Sequence, residues 1–414
     1  MATPYYDEET EGTVYLVQPE KDHSDDEDWD MQTISSYSTT QTTSTITSDQ
    51  LSDFFREAHG RTYPLDENLP LTYPVDDIEA LRHQMQHQVL KALVHGNYVG
   101  PVREVLKPRA DGSRPRILDI RTCDGSWAQE MAVEFPHCDI VSVDIAPIVA
   151  HTPRANVTFE VYDLYAGVAE PDESFDYISC RHVQTHVRDY DRLIFDLHRV
   201  LRPGGLVTIC EVENYLFEVD QAPYDTIAYR TLPALSKGLD IIRAAIQEQG
   251  VDLSAVYQIP DWLRPGSSFW TQTGLKYQIP PSRVQAASQG FLDIRKQVVL
   301  LPTGAWHPDP AVKQVGALTA RLWSLAWRQL EPTLIEYGLT QEKANGICER
   351  AIEELAHTEL QSLGKYHMVT ATKSAGACHN LCLANSLITE VNEKKKSTES
   401  GDWWRAATAM QPAP

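Results

Sequence analysis

Between residues 111 and 215 the apolar positions fall in short runs separated by stretches with helical spacing. Ile117 to Ile120, Asp139 to Asp144, Val157 to Tyr162, Phe175 to Cys180 and Leu206 to Glu211 read as strands. Strands alternating with helical segments predict a parallel sheet with helices on both faces. The segment Leu201-Arg202-Pro203-Gly204-Gly205 predicts a turn between a helix over Asp191 to Val200 and the fifth strand. Upstream, Asp76 to Leu93 carries Ile78, Leu81, Met85, Val89, Leu90 and Leu93 at helical spacing, which predicts an amphipathic helix with that stripe as its apolar face. After Glu213 the pattern is mostly helical, punctuated by Pro and Gly between Pro260 and Pro281. Two strand-like runs return late, Phe291 to Leu301 and Tyr366 to Lys373, on either side of a helical stretch over Val312 to Leu363.

The ends of the chain look different. Residues 1 to 55 hold eleven acidic positions before Asp49, from Asp7 to Asp30, then a polar run over Thr33 to Ser48. Such a composition buries too little apolar surface to offset ordering entropy and predicts a disordered tail, either solvated or binding a partner. Residues 374 to 414, with Lys394, Lys395 and Lys396, read as a second flexible tail; the lysine run is a weak localisation signal or a solvated linker. The net charge of −22 argues against nucleic acid or an anionic membrane as the main partner. No apolar run reaches the roughly 18 residues of a membrane helix, so a soluble protein is expected. Seven scattered cysteines without a CxxC pair suggest a reduced, cytoplasmic or nuclear protein.

Candidate chemistry starts at the segment Arg116 to Glu130. It begins as a nucleotide-binding strand and turn, but the turn Arg121-Thr122-Cys123-Asp124-Gly125 keeps only Gly125 where two or three glycines are usual. Asp144, about 20 residues on at the end of the second strand, is placed to accept ribose hydroxyls. Asp163 fits an adenine edge, or equally a helix N-cap. Asp119 fits a ligand ammonium, or the backbone of its own loop. His182 and His186 follow the fourth strand, while Glu211 and Glu213 end the fifth; each is a candidate base, against the blander reading of packing or surface histidines. His87 is a candidate pocket residue. Tyr73, Trp262, Trp270 and Trp306 line an aromatic acceptor site or simply fill core. Cys378, His379 and Cys382 lack a second ligand pair, so no metal is expected.

At this point the chain resembles the fungal LaeA-like (UMTA-type) S-adenosylmethionine-dependent methyltransferases, from about Gly60 to Lys373. The blocks are GRTYP, the spacing Asp76, Glu79, Arg82, Gln86, His87, then ILDI, DGSWAQEMAVEFP, VDIAPI, NVTFEVYDL, DESFDYISCR, VLRPGGLVTICE and KQVVLLPTGAWHPDP. The resemblance implies an α/β, Rossmann-like class I methyltransferase fold, with a seven-stranded, mostly parallel sheet whose last strand is antiparallel, and a helical cap. It implies an entry region over 56–110, a cofactor-binding core over 111–215, a cap over 216–290 and completing strands and helices over 291–373. S-adenosyl-L-methionine is the implied cofactor, with Asp119, Arg121, Cys123, Gly125, Asp144, Asp163 and Arg181 at the matching positions.

One departure stands out. The family reads Asp-x-Gly-x-Gly-x-Gly, and here Arg121 and Cys123 replace the first two glycines. A left-handed backbone at either would cost about 1–2 kcal/mol. The implied function is methyl transfer to a small molecule of fungal secondary metabolism. The alternatives are a LaeA-like nuclear regulator working with velvet-type partners, with or without methyl transfer, and a scaffold that has lost the cofactor. A nicotinamide dehydrogenase is disfavoured, since no GxGxxG turn is present.

Overall fold

The computed structural model describes residues 54–65, 69–70, 73–147, 154–162, 164, 167–220, 222–357 and 360–375, and the backbone alone at 2–7 and 12–17. Ile117, Leu118 and Ile120 are wholly buried in a central strand, as required of a strand covered on both faces. In chain order the strands are β1 (Ala2–Asp7), β2 (Gly12–Val17), β3 (Phe55–Ala58), β4 (Arg61–Pro64), β5 (Arg116–Ile120), β6 (Asp139–Asp144), β7 (Val157–Tyr162), β8 (Phe175–Arg181), β9 (Leu201–Val212), β10 (Phe217–Glu218), β11 (Phe291–Thr303) and β12 (Ser362–Lys373). The helices are α1 (Asp77–Val94), α2 (Val102–Val105), α3 (Ser126–Glu134), α4 (Tyr190–Val200), α5 (Pro233–Glu248), α6 (Ala255–Trp262), α7 (Ser268–Lys276), α8 (Pro281–Ala287), α9 (Pro310–Gln329), α10 (Glu331–Glu336) and α11 (Gln341–Ala356).

The main sheet runs β7-β6-β5-β8-β9-β12, with β11 on the free side of β12. From β7 to β9 all neighbours are parallel. Strand β12 is antiparallel to both β9 and β11, so these seven strands form the mostly parallel sheet with one reversed member. Chain order turns back between β5 and β8. In open α/β sheets, ligands bind at that crevice, beyond the carboxyl ends of the strands.

Each face of the sheet has its own core. Trp127, Ala128, Met131 and Ala132 of α3 pack with Ile117, Ile140 and Tyr177. On the other face, Leu193, Ile194, Leu197 and Val200 of α4 pack with Ile120, Ile178 and Ile209. A cap built from α5, α10 and α11 closes around Trp327 of α9. Gly238 of α5 is required there, because a Cβ would lie 2.6 Å from the Trp327 ring.

Three expectations change. Strands β1 and β2 pair as a hairpin, and β2 adds antiparallel to β7, within the segment whose acidic composition predicts disorder. The local runs over residues 2–7 and 12–17 are rich in Tyr and Val, strand formers that are diluted in a 55-residue average. The rest of that segment and the tail beyond Ala375, with Lys394 to Lys396 and the Cys378-His379-Cys382 group, lie outside the described residues. The late helical stretch ends at Ala356, and Ser362 and Leu363 already belong to β12. A short apolar run cannot separate helix from strand by period alone.

Helix α1 is the third. It starts as expected, with the Asp76 carboxylate capping the Ile78 and Glu79 N–H groups at 3.1 Å. In its first turns, however, Glu79, Arg82 and His83 are buried while Ile78 and Leu81 are about half exposed. The apolar stripe does not face inward here, because the inward face meets a polar site.

Candidate active site at the switch point

The carboxyl ends of β5, β8 and β9 meet α1, α9 and β12 around a cavity of about 90 Å³. Its floor begins with the β5–α3 turn. Arg121, Cys123 and Gly125 have φ of 73°, 55° and 76°, so all three glycine positions of the related motif are left-handed even though two of them carry side chains. His182, just after β8, is left-handed too, with φ 57°. Strained backbone of this kind persists where the surroundings over-determine it, and ligand sites are its usual setting. The turn is tied to β6: Arg121 N and Thr122 N donate to the Val143 carbonyl at 2.9 and 3.0 Å.

The candidate cofactor residues converge on this turn. Asp144 Oδ2 accepts the Cys123 N–H at 2.9 Å and Oδ1 accepts the Ile145 N–H at 2.8 Å. Burial pushes its carboxyl above the usual range. Asp119 is fully buried; Ser142 donates to its Oδ2 at 2.8 Å, and its Oδ1 has no hydrogen-bond partner. Burial raises Asp119 to about 6, against the pull of Arg181, whose Nη2 lies 3.8 Å from Oδ1. The Arg181 guanidinium also sits 4.7 Å over the Trp127 ring. Burial lifts the Cys123 thiol to about 12, which leaves it protonated and unreactive. Asp163 lies outside the described residues.

Arg121 extends from this turn across the crevice. Its guanidinium donates to the His182 carbonyl at 2.8 Å and lies 3.2 Å from His83 Nε2. His182 and His186 both line the cavity, His182 against the Tyr366 ring and His186 against Tyr73. Burial, then the nearby arginines, push both imidazoles well below their usual pKa, so they are neutral. Glu211 faces the same space. It accepts hydrogen bonds from the Val183 and Gln184 N–H groups at 3.1 and 3.2 Å and from the Tyr190 hydroxyl at 2.8 Å. Burial outweighs these bonds and raises its carboxyl to about 7.

Other candidates lie elsewhere. Glu213 is held by His367 at 2.8 Å and by the Tyr257 hydroxyl, away from the cavity. His87 lines a separate, smaller crevice beside Arg181. Of the four aromatic candidates only Tyr73 lines the cavity: Trp270 is core, Trp262 stacks on Phe269, and Trp306 donates to the Thr303 carbonyl. The aromatic wall comes instead from Trp323 of α9 and Tyr366 of β12.

In the roof, the sequence named Glu79, Arg82 and Gln86 only as a block of the resemblance, and His83 and the role of the group were missed. Glu79 pairs bidentately with Arg82 at 2.6 and 2.8 Å and lies 3.1 Å from His83. Burial alone would raise the Glu79 carboxyl, but Arg82 and His83 outweigh it and hold it at about 2. The spacing of Glu79, Arg82, His83 and Gln86, a polar stripe at i, i+3, i+4 and i+7, was the available signal.

A family model described as a methyltransferase domain matches residues 81–245, spanning α1 through most of α5. The secondary metabolism regulator laeA of Coprinopsis cinerea is 23% identical over 79% of this chain and 76% of its own length. The methyltransferase pytC of Aspergillus terreus is 27% identical over 69% of this chain and 81% of its own. The chain is similar to the LaeA-like S-adenosylmethionine-dependent methyltransferases. A further relative, the protein-methionine methyltransferase laeA of Emericella nidulans, is 25% identical over 77% of this chain and 76% of its own length. Among solved structures, a Haemonchus contortus phosphoethanolamine N-methyltransferase 2 in complex with S-adenosyl-L-methionine covers 79% of this chain and 72% of its own, at 17% identity and a TM-score of 0.36.

The residues of this LaeA-like chain fit the family's methyl donor. Each Asp144 oxygen accepts one N–H and so keeps acceptor capacity for a ribose hydroxyl. The Asp119 Oδ1, buried and unpartnered, suits a cation. The turn keeps the left-handed backbone of a glycine loop. Among the described residues no helix is long and apolar enough to cross a membrane.

Proposed function

We propose that this LaeA-like protein transfers the methyl group of S-adenosylmethionine to a small molecule of fungal secondary metabolism. The observation that carries the reading is the left-handed backbone at Arg121 and Cys123. The chain sustains a strain of about 1–2 kcal/mol per residue to keep a turn of glycine-loop shape beside Asp144.

Each residue then has a role. Asp144 accepts the ribose hydroxyls, Asp119 faces the ammonium, and Cys123 and Gly125 shape the turn through their backbone. Arg181 holds the charge of Asp119, and Asp163, which follows β7, is assigned to the adenine edge. When bound, the donor supplies an electrophilic methyl on a sulfonium, so no covalent residue is needed, and the protein contributes placement and exclusion of water. A hydroxyl or amine acceptor must lose a proton. His182 and His186 are neutral imidazoles facing the cavity, but the burial and arginines that keep them neutral also disfavour the imidazolium, and Glu211, raised to about 7, matches the working pH of a general base most closely.

The size of the cavity favours one second reading. About 90 Å³ is small beside the roughly 300–1,000 Å³ of small-molecule sites, and it suits the end of a protein side chain. The relatives named as regulators and as a protein-methionine methyltransferase fit that reading, with a velvet-type partner and a nuclear location. Incubation with S-adenosylmethionine carrying a labelled methyl, in extracts of a producing fungus, separates the two. Label in the low-mass fraction supports the small-molecule acceptor. Label confined to protein overturns it in favour of the second reading.

A further inference from the structure

Arg121 stands where the resembling family has glycine, and its charge has no partner in direct contact: the carboxylates of Asp144 and Glu211 act on it only from beyond ion-pair distance. Among the described residues it forms no ion pair, whereas Arg82 on the same wall is neutralised by Glu79 at 2.6 Å. Its fixed fork of N–H donors reaches only neutral acceptors, the His182 carbonyl and His83 Nε2. The groups around it offer little else. From α1 come Arg82, His83 and Gln86, and from the β8 turn His182, Gln184 and His186. Glu211 comes from β9 and Asn214 from just beyond it, Tyr366 and Trp323 from β12 and α9, and Asp144 from the end of β6, its oxygens bonded to the Cys123 and Ile145 N–H groups. The histidines stay neutral. Glu211 already accepts from Val183, Gln184 and Tyr190. A half-buried guanidinium with no carboxylate bonded to it is costly, and a carboxylate taken up through two parallel N–H bonds relieves it best.

We propose that Arg121 anchors a ligand carboxylate in this cavity, and that the carboxylate is the one at the methionyl end of the methyl donor. This rests on the methyl-donor reading above. The donor is favoured over the acceptor as its source for two reasons. Arg121 belongs to the β5–α3 turn, at the switch point where open sheets bind their cofactors. The cavity of about 90 Å³ takes an end group rather than a whole molecule. The same guanidinium repels the donor's ammonium and sulfonium. A donor that keeps both cations and lacks the carboxylate is therefore disfavoured twice over. On this view the arginine replaces a glycine to supply recognition, and the left-handed backbone at 121 is what allows the side chain to cross to the His182 carbonyl.

The test is calorimetric titration of the full chain with S-adenosylmethionine and with its decarboxylated analogue. Wild-type protein should prefer the carboxylate form by roughly 10- to 100-fold. Arg121→Gln should erase that preference, and Arg121→Lys, which keeps the charge and guards against a misfolded Gln variant, should retain part of it. Equal binding of the two ligands by wild type, or tighter binding of S-adenosylmethionine by Arg121→Gln, overturns the inference while leaving the methyl-donor reading standing. No binding of either ligand to folded wild type sinks both. Benzoate titrated into protein saturated with S-adenosylhomocysteine probes the other source. Benzoate binding that Arg121→Gln abolishes, with S-adenosylhomocysteine affinity unchanged, would assign the anchor to the acceptor and overturn the assignment to the donor.

Discussion

The Arg121 guanidinium donates to the His182 carbonyl at 2.8 Å, and both residues hold a left-handed backbone at the carboxyl ends of adjacent parallel strands, φ 73° and 57°. One hydrogen bond therefore joins the two turns that flank the switch point. Four left-handed residues lie within these turns, and only Gly125 among them is glycine.

The strain at Cys123 is open to measurement. Its N–H bond to Asp144 is a backbone bond and survives Cys123→Gly. Relief of about 1–2 kcal/mol of left-handed strain, less about 0.4–1 kcal/mol of added unfolded-state entropy, should stabilise the protein by roughly 0.5–1 kcal/mol. Denaturant unfolding measures it. A destabilised variant would mean that the thiol's packing outweighs the strain.

Two buried carboxyls make stability depend on pH. Burial raises Glu211 from its usual 4.5 to about 7 and Asp119 from 3.8 to about 6. Both hold their proton more tightly in the folded state, so the stability they give is full below the unfolded pKa and lost as pH rises through the folded one. For Glu211 the loss between pH of about 4.5 and 7 is on the order of 3 kcal/mol. Unfolding free energies measured across that window should fall with rising pH, and Glu211→Gln should flatten the slope. An equal slope in the variant would place the titration elsewhere.

Most of the sheet was legible in the sequence, and the reason is burial on both faces. Strands such as Ile117–Ile120 and Phe175–Cys180 appear as short apolar runs whatever their neighbours, and the order of blocks fixed their parallel sense. The same runs drew attention to Asp119, which interrupts the first, and to Asp144, which ends the second. The roof was not. Its face of α1 is polar, so a search for an apolar stripe selects Ile78 and Leu81, which are about half exposed; Glu79 and Arg82 entered only through the family spacing, and His83 not at all. Trp323 was equally hidden, because a tryptophan in a long amphipathic helix carries no sign of whether it meets core or cavity.

The α1 network should be costly to break. Glu79 is the only carboxylate bonded to Arg82 among the described residues, and both are buried. Glu79→Ala leaves a buried guanidinium unpaired and should destabilise the protein by about 3–5 kcal/mol. Thermal unfolding checks this, and a loss below about 1 kcal/mol, the level of an exposed pair, would mean that water reaches Arg82.

In the cap, Gly238→Ala sets two effects against each other. Alanine gains about 1 kcal/mol of helix propensity, but its Cβ would meet the Trp327 ring at 2.6 Å, and overpacking a core costs about 1–3 kcal/mol. Because Trp327 is wholly buried among α5, α10 and α11, the clash should win and lower the melting temperature. A raised melting temperature would show that the ring can shift freely.

Calorimetric titration of the folded chain with S-adenosylhomocysteine bears most directly on the claim that the turn from Arg121 to Gly125 still cradles a nucleoside cofactor. Saturable micromolar binding is expected, weakened at least about 10-fold by Asp144→Ala through the lost charged hydrogen bonds. Folded protein that takes up no ligand, or an Asp144→Ala variant that binds as tightly as wild type, would contradict it.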